Sequence, residues 1–362
     1  MSRFRTAIGL MSGTSLDGID AALIETDGDT VRHFGPGLAQ TYDDDFRDRL
    51  RECIENPAVR ADVGDQIADR QAAVVLQLLS DNNLRASDVD VIGFHGQTVD
   101  HRPAEGITTQ IGNAARLAGA TGIDVVADFR SADVAAGGEG APFAPLYHRA
   151  LAAGLAKPLA VLNLGGVGNV TWMGETSDDV LAFDTGPGNA LIDDWMCDTT
   201  GQGMDAGGAF AETGEASEAA LGQLMSHAYF SKLPPKSLDR QDFHDLLKPA
   251  THGLAPADGA RTLTAFTVQS VVAASQHFPR PVSRWLVCGG GRHNALMMQL
   301  LNDALGVPVE PVEAVGWRGD LLEAEAFAWL AVRSLDGKPL SLPSTTGVRE
   351  PVTGGKLFPA HP

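Results

Sequence analysis

Residues 8–20 read Ile8-Gly-Leu-Met-Ser-Gly-Thr-Ser-Leu-Asp-Gly-Ile-Asp20. The apolar run at 7–10 predicts a buried strand, and a second apolar run at 19–24 predicts another close behind it. Between them lies a short loop of small residues and hydroxyls, Ser12-Gly13-Thr14-Ser15. A backbone that approaches a phosphate closely needs glycine, because a Cβ blocks the approach. Backbone N–H groups and the Thr14 and Ser15 hydroxyls then donate to phosphate oxygens. Asp17 and Asp20 lie near enough in sequence to reach a metal ion or a reacting hydroxyl. By itself the stretch also reads as a tight hairpin turn, which alone accounts for Gly13 and Gly18. The rest of the chain decides between the two.

Strand patterns recur at 31–34, after the turn Asp27-Gly28-Asp29, and at 89–94 and 124–127. Helical spacing of apolar residues predicts helices over 43–54, 63–79 and 112–120. The second half begins the same way, with strands at 159–164, 170–173 and 180–183 and a helix over 190–200. After a long variable stretch come a helix (262–277), a strand (285–288), a helix (294–305), a short strand (307–309) and a helix (321–335). Three strands, helix, strand, helix, strand thus appear twice in order, without a repeat of sequence. The predicted class is α/β, with two lobes of like order facing each other across a cleft. One lobe is expected over 1–128, with 342–362 as a candidate addition, and the other over 129–341. Residues 201–258, rich in Gly, Pro and polar side chains, are expected as an insertion near the cleft rim. Within them Lys232-Leu-Pro-Pro-Lys236 excludes regular helix. The proline-bearing end, 342–362, is expected to run irregularly over the surface.

A chain of 362 residues is long enough for two domains, and 44% hydrophobic with 20% charged residues is ordinary globular composition. Acidic side chains outnumber basic ones 46 to 27, a net charge of −19, and no Lys/Arg cluster occurs. Nucleic acid is therefore not an expected partner. Cys53, Cys197 and Cys288 are far apart and form no CxxC pair, which argues for a reducing compartment and against a structural zinc site. With no signal-peptide pattern and no apolar run of membrane length, a cytoplasmic protein without a membrane partner is expected.

Each lobe carries a glycine turn directly after its first strand. In the second lobe it is Asn163-Leu-Gly-Gly-Val-Gly-Asn169, where Gly165 and Gly166 allow backbone N–H groups to face an anion. Asn163 and Asn169 add donors, and a plain hairpin turn is the alternative. In Phe183-Asp-Thr-Gly-Pro-Gly-Asn189, Asp184 ends a strand and the chain turns into a helix. Ligands bind at such strand ends in open α/β sheets. A carboxylate there is placed to take a proton from a water or hydroxyl. Its alternative role, a helix cap, is one that Asn189 fills. Cys288-Gly-Gly-Gly-Arg-His-Asn294 again joins a strand to a helix, and Gly289, Gly290 and Gly291 let a base and ribose lie on bare backbone. Arg130 is suited to a bidentate clamp on a substrate carboxylate, or to an ion pair with Asp128 or Asp133. His95-Gly-Gln97 follows a strand and has groups for a sugar, a structural histidine being the alternative. Glu323 and Glu325 open the last helix, where acidic residues also complement the helix dipole.

Glycine turns after strands, in a duplicated α/β order, resemble the actin–hexokinase–heat-shock superfamily of ATP-binding proteins, with its duplicated ribonuclease H-like lobes. More closely, the chain is similar to the anhydro-N-acetylmuramic acid kinase family. The segments that carry the likeness are Gly9 to Asp20, Phe94-His-Gly-Gln-Thr98, Gln110-Ile-Gly112, Ala127-Asp-Phe-Arg130, Gly140-Ala-Pro142, Asn163 to Asn169, Phe183 to Asn189, Gly289 to Asn294 and Glu323-Ala-Glu-Ala-Phe-Ala-Trp329. They run in family order from the first strand to the last helix, and their combination is specific.

The resemblance implies an ATP- and Mg2+-dependent homodimeric enzyme of bacterial cell-wall recycling. Its reaction opens 1,6-anhydro-N-acetylmuramic acid with water and phosphorylates O6, giving N-acetylmuramic acid 6-phosphate. Asp184 is implied as the catalytic base. For ATP the implied residues are Gly13, Thr14, Ser15, Leu16, Asp17, Gly18, Ile19 and Asp20, with Gly165, Gly166, Gly289, Gly290, Gly291 and Asn294. For the sugar they are His95, Gln97, Arg130, Asn163, Asn189 and Glu323, which matches the family position better than Glu325. No Mg2+ ligand is implied, since Met11 stands where many superfamily relatives have Asp. Glu139 precedes Gly140-Ala-Pro142 where a neutral Gln is expected. Two other readings use the same residues: an amino-sugar hydroxyl kinase that needs no water, and a non-catalytic actin-like nucleotide-binding regulator.

Overall fold

The apolar run near the N-terminus forms β1 (Arg5–Met11), the last five residues of which are buried. The computed structural model describes residues 3–13, 16–176, 178–238 and 242–360. β1 is antiparallel to β2 (Gly18–Thr26), which is antiparallel to β3 (Val31–Thr41). β4 (Val91–Phe94) runs parallel to β1 on its other side. A separate hairpin of β5 (Gln97–Arg102) and β6 (Ile107–Ile111) follows, and β7 (Val125–Ala127) lies parallel to β4. Beyond β7 the sheet is closed by an antiparallel strand, Lys356–Phe358. Central parallel strands need cover on both faces. One face takes the helices Asp44–Glu55, Arg60–Asp81 and Ala114–Thr121, through Phe46, Leu50, Ile67, Val74 and Leu117.

The other face takes the helix Leu322–Leu335, and two glycines decide how closely. Gly9 and Gly93 are partners in the β1–β4 ladder. A Cβ on Gly9 would stand 1.7 Å from the Ala324 carbonyl oxygen, and one on Gly93 would stand 2.1 Å from that of Phe327. The pair forms a floor on which the helix lies backbone to backbone.

The chain divides into one unit of Met1–Gly154 with Leu321–Pro362 and a second of Leu155–Asp320. This corrects the boundaries expected after 128 and after 341. The glycine floor takes the helix Leu322–Leu335 into the first unit. The helix Pro145–Leu151 goes with it, since the Tyr147 hydroxyl donates to Glu325 at 2.7 Å.

In the second unit β8 (Leu159–Leu164), β9 (Val167–Met173) and β10 (Val180–Pro187) form an antiparallel meander. β11 (Trp285–Cys288) and β12 (Val309–Pro311) continue in parallel from β8. The order β10-β9-β8-β11-β12 repeats the order β3-β2-β1-β4-β7 of the first unit. Each unit is therefore ribonuclease H-like, and the duplicated α/β architecture is the one expected.

Residues 201–258, expected as an insertion, hold helices and core residues of their own. They contain the helices Ala209–Glu212, Glu218–Met225 and His244–Thr251, and their Leu221, Leu224, Tyr229, Leu238 and Phe243 belong to the second unit's core. The turn-rich composition concealed single apolar residues spaced between Gly and Pro. Residues 232–236 are irregular, as the prolines require. The end of the chain is not wholly irregular, since it holds the short helix Pro343–Thr346 and the edge strand Lys356–Phe358. Among the described residues no helix is long and apolar enough to cross a membrane.

Candidate active site

In the first unit the loop after β1 is braced from behind. The Ser12 hydroxyl donates to Gln97 Oε1 at 2.7 Å and shares a 3.0 Å hydrogen bond with the Tyr42 hydroxyl. Gln97 Nε2 donates to the Gly13 carbonyl at 3.1 Å. Gln97, expected to bind the sugar, is thus 1% exposed and has its amide committed to the protein's own loop. Thr14 and Ser15 lie outside the described residues. Leu16 and Ile19 put their side chains in the core, and a Cβ on Gly18 would stand 2.3 Å from the Gln40 carbonyl of β3. Gly18 therefore serves the sheet, and only backbone at Leu16 and Ile19 remains for a nucleotide. Asp17 is exposed and Asp20 half-buried.

His95, at the end of β4, is 5% exposed and packs against Phe327. Its Nε2 accepts the Arg130 Nε–H at 3.1 Å, so its Nδ1–H donates to the Gly96 carbonyl at 2.8 Å. Burial first, then the Arg130 cation, push its pKa well below the ordinary value. Arg130 also donates from Nη1 to the Gly140 carbonyl at 2.7 Å and lies over the Phe143 ring. Of its two expected acidic partners, Asp128 bonds Lys356 at 2.6 Å. Asp133 accepts from the Gly140 N–H, the Ser341 hydroxyl and the Thr346 hydroxyl. Asp133 thus ties the loop that holds Arg130 to the C-terminal segment, a role the sequence did not signal. Glu325 is buried against Tyr147, whereas Glu323 is half-buried on the first helical turn. Beside His95, at the carboxyl ends of β4 and β7, a groove of ≈ 560 Å³ is lined by Gly96, Gln110, Asn113, Asp128 and Ser131.

In the second unit three glycine turns meet at the carboxyl ends of β8 and β11. The N–H groups of Gly188 and Asn189 donate to the Gly166 and Gly165 carbonyls at 2.9 and 2.8 Å. A Cβ on Gly289, which has φ +74°, would stand 2.4 Å from Asn163 Oδ1, and one on Gly291 would stand 2.5 Å from Leu164. These glycines permit the close fit of one turn on another. Gly165 and Gly290 differ: a Cβ on either would meet no atom nearer than 3.8 Å. They present bare backbone to open space, which fits the phosphates or ribose of a nucleotide. Asn163 is 6% exposed beside them.

Asn189 holds the N-cap position without capping. Its Nδ2 donates to the Leu164 and Gly165 carbonyls at 3.0 and 3.1 Å, which commits the amide expected for the sugar. Asn294, expected at the nucleotide, caps the helix Ala295–Leu305 by accepting the Met297 N–H at 2.9 Å. The cap and the ligand donor are the same residue type, so the sequence did not separate them.

Asp184 is 6% exposed near the end of β10, where the β9 ladder slips by one residue at Thr185. Asp184 Oδ2 accepts the Leu238 N–H at 2.8 Å. Thr185 Oγ1 is buried without a hydrogen-bond partner among the described residues. No three His, Cys, Asp or Glu side chains among the described residues gather to hold a metal ion. Mg2+ held by a nucleotide's phosphates and one or two carboxylates needs no such cluster.

Residues 5–360 match the family model described as anhydro-N-acetylmuramic acid kinase. The chain belongs to the anhydro-N-acetylmuramic acid kinase family. A protein of that name from Paramagnetospirillum magneticum is 55% identical over 352 residues, 97% of this chain and 98% of that one. One from Rhodospirillum rubrum is 54% identical, with 98% of this chain and 94% of the relative covered. One from Rhizorhabdus wittichii is 53% identical over 96% of this chain and 97% of the relative. The resemblance read from the motifs is borne out across residues 5–360. As a member of the anhydro-N-acetylmuramic acid kinase family the chain is an enzyme, a kinase that uses ATP.

Proposed function

We propose that the chain opens 1,6-anhydro-N-acetylmuramic acid with water and phosphorylates O6, giving N-acetylmuramic acid 6-phosphate for cell-wall recycling. Family membership supports this reading, and the observation that carries it is Asp184. A carboxylate buried near the end of β10, held by the Leu238 N–H and leading into the Gly186-Pro-Gly188 turn, has the setting of a general base. Asp184 takes the proton of a water as that water attacks the anomeric carbon. The C1–O6 bond breaks, its electron pair passes to O6, and O6 becomes the nucleophile for in-line phosphoryl transfer. ATP with Mg2+ supplies the phosphoryl group. Backbone at Gly165, Gly166, Gly289, Gly290 and Gly291, and at Gly13, Leu16 and Ile19 with the carboxylates of Asp17 and Asp20, serves the nucleotide. Arg130 clamps the sugar's lactyl carboxylate, and its hydrogen bonds to His95 and Gly140 pre-orient the guanidinium. Asn163 and Glu323 complete the sugar contacts, while His95, with both ring nitrogens hydrogen-bonded inside the protein, holds Arg130 in place. The enzyme is read as a cytoplasmic homodimer.

The test is product analysis after incubation with ATP, Mg2+ and the anhydro sugar in ¹⁸O-labelled water. The expected product is a 6-phosphorylated sugar with ¹⁸O at C1. Phosphorylation of a reducing amino sugar alone, without label, would make the protein an ordinary hydroxyl kinase. No turnover with any sugar would make it a nucleotide-binding regulator. Asp184→Asn is expected to bind ATP as the wild type does and to lose about 10²- to 10⁴-fold in kcat. Unchanged turnover in that variant would remove Asp184 from the mechanism.

A further inference from the structure

Asp184, paired with Asn169, is the last residue of β10 in unbroken register with β9 before the slip at Thr185. β10 is also the edge of its sheet, so the outer backbone groups of Asp184 need partners from elsewhere. Residues 229–238 supply a partner to each. The Asp184 N–H donates to the Lys236 carbonyl at 3.0 Å, and the Tyr229 hydroxyl donates to the Asp184 carbonyl. The Leu238 N–H holds Oδ2. The segment is also tied to itself, because the Lys236 ammonium donates to the Tyr229 carbonyl at 3.1 Å and lies 4.4 Å over the Tyr229 ring. Tyr229 is 1% and Lys236 5% exposed. Burying an ammonium is expensive, and here burial lowers its pKa to about 8. The edge contact is made by the Lys236 backbone carbonyl, which any residue there would supply, so closing the edge does not call for the ammonium.

We propose that Tyr229 and Lys236 are positioning residues for the base: Tyr229 fixes the Asp184 backbone, and Lys236 fixes Tyr229 and the 236–238 stretch that orients the carboxylate. The proposal rests on the reading of Asp184 as the base. It assigns a task in the reaction to a segment whose composition suggested only an insertion.

In the full-length protein, Tyr229→Phe removes the hydroxyl and keeps the ring under Lys236. Lys236→Met removes the charge and keeps the stem, and Lys236→Arg restores a cation. Turnover of the anhydro sugar is measured per nucleotide-binding site, counted by calorimetric titration, so that unfolded protein does not enter. Misplacing a catalytic group by about 1 Å costs up to about 10²-fold. We expect kcat to fall about tenfold in Tyr229→Phe and in Lys236→Met, with both KM values within about twofold of wild type. Lys236→Arg should recover part of the loss. An unchanged kcat in Tyr229→Phe, with Asp184→Asn inactive, would reduce the segment to a cover for the sheet edge. A raised KM at unchanged kcat, or Arg no better than Met at 236, would equally overturn the proposal. Wild-type turnover by Asp184→Asn would instead remove the base itself, a separable outcome. If Lys236→Met does not fold, Tyr229→Phe decides alone.

Discussion

Glu323 and Glu325 share one helical turn and one charge, yet their spacing puts them on different faces. Glu325 accepts the Tyr147 hydroxyl inside the first unit, so Glu325→Gln should cost about 1–3 kcal/mol in urea unfolding and leave KM unchanged. Glu323→Gln should do the reverse, raising KM for the sugar at an unchanged urea midpoint. Equal effects of the two variants would dissolve the distinction. His95 makes a pH-dependent contribution of definite sign. Its folded pKa lies well below the 6.5 of the unfolded chain. As the pH falls below that value the unfolded state takes up a proton that the folded state refuses, so stability falls. His95→Gln should therefore lose Tm less steeply than wild type between about pH 7 and pH 5. Parallel slopes would mean that His95 takes up its proton as readily when folded. At this scale the sequence was half legible. It picked out His95, Arg130, Asp184 and Glu323 as side chains of interest. It also picked out Gln97, Asn189 and Asn294, whose amides the fold spends on its own backbone.

The helix Leu322–Leu335 lies on glycine because nothing larger fits beneath it. Gly9→Ala would place a carbon 1.7 Å from the Ala324 oxygen, and the helix would have to lift. The expected loss is about 3 kcal/mol in urea unfolding. Gly119→Ala is the control, since it sits in the helix Ala114–Thr121 with nothing within 4 Å of the added carbon. It should gain up to about 1 kcal/mol. A Gly9→Ala protein as stable as wild type would mean the floor is not tight. Elements built on local periodicity were legible: 159–164, 190–200 and 285–288 form where the pattern puts them. The hairpin of β5 and β6 was missed because Asp100, His101 and Arg102 interrupt its apolar alternation. The edge strand Lys356–Phe358 was missed because three residues carry no period.

Across the whole molecule, 46 acidic against 27 basic side chains leave a net charge of −19. Self-repulsion on that scale weakens the folded state and is screened by salt. Tm should therefore rise from low ionic strength to about 0.15 M NaCl, where the screening length is about 8 Å. A Tm that fell with salt would mean that the many surface ion pairs, such as Arg116 with Asp69, outweigh the net repulsion. The division into units is also a property at this scale. It follows from where the last helix docks, which no composition shift along the chain announces.

The sequence by itself determined the α/β class, the duplicated order of strands, the glycine turns and the carboxylate at 184, since each is written in neighbouring residues. Family membership was legible for the same reason, in short motifs kept in order. Only the tertiary structure decided which polar side chains are spent internally, where the first unit ends, and what holds Asp184. Those are contacts between distant residues: Tyr229 reaches Asp184 across 45 positions, Tyr147 reaches Glu325 across 178, and Ser341 reaches Asp133 across 208. Such pairs have no local signature, because each partner's side chain is compatible with many environments until packing chooses one.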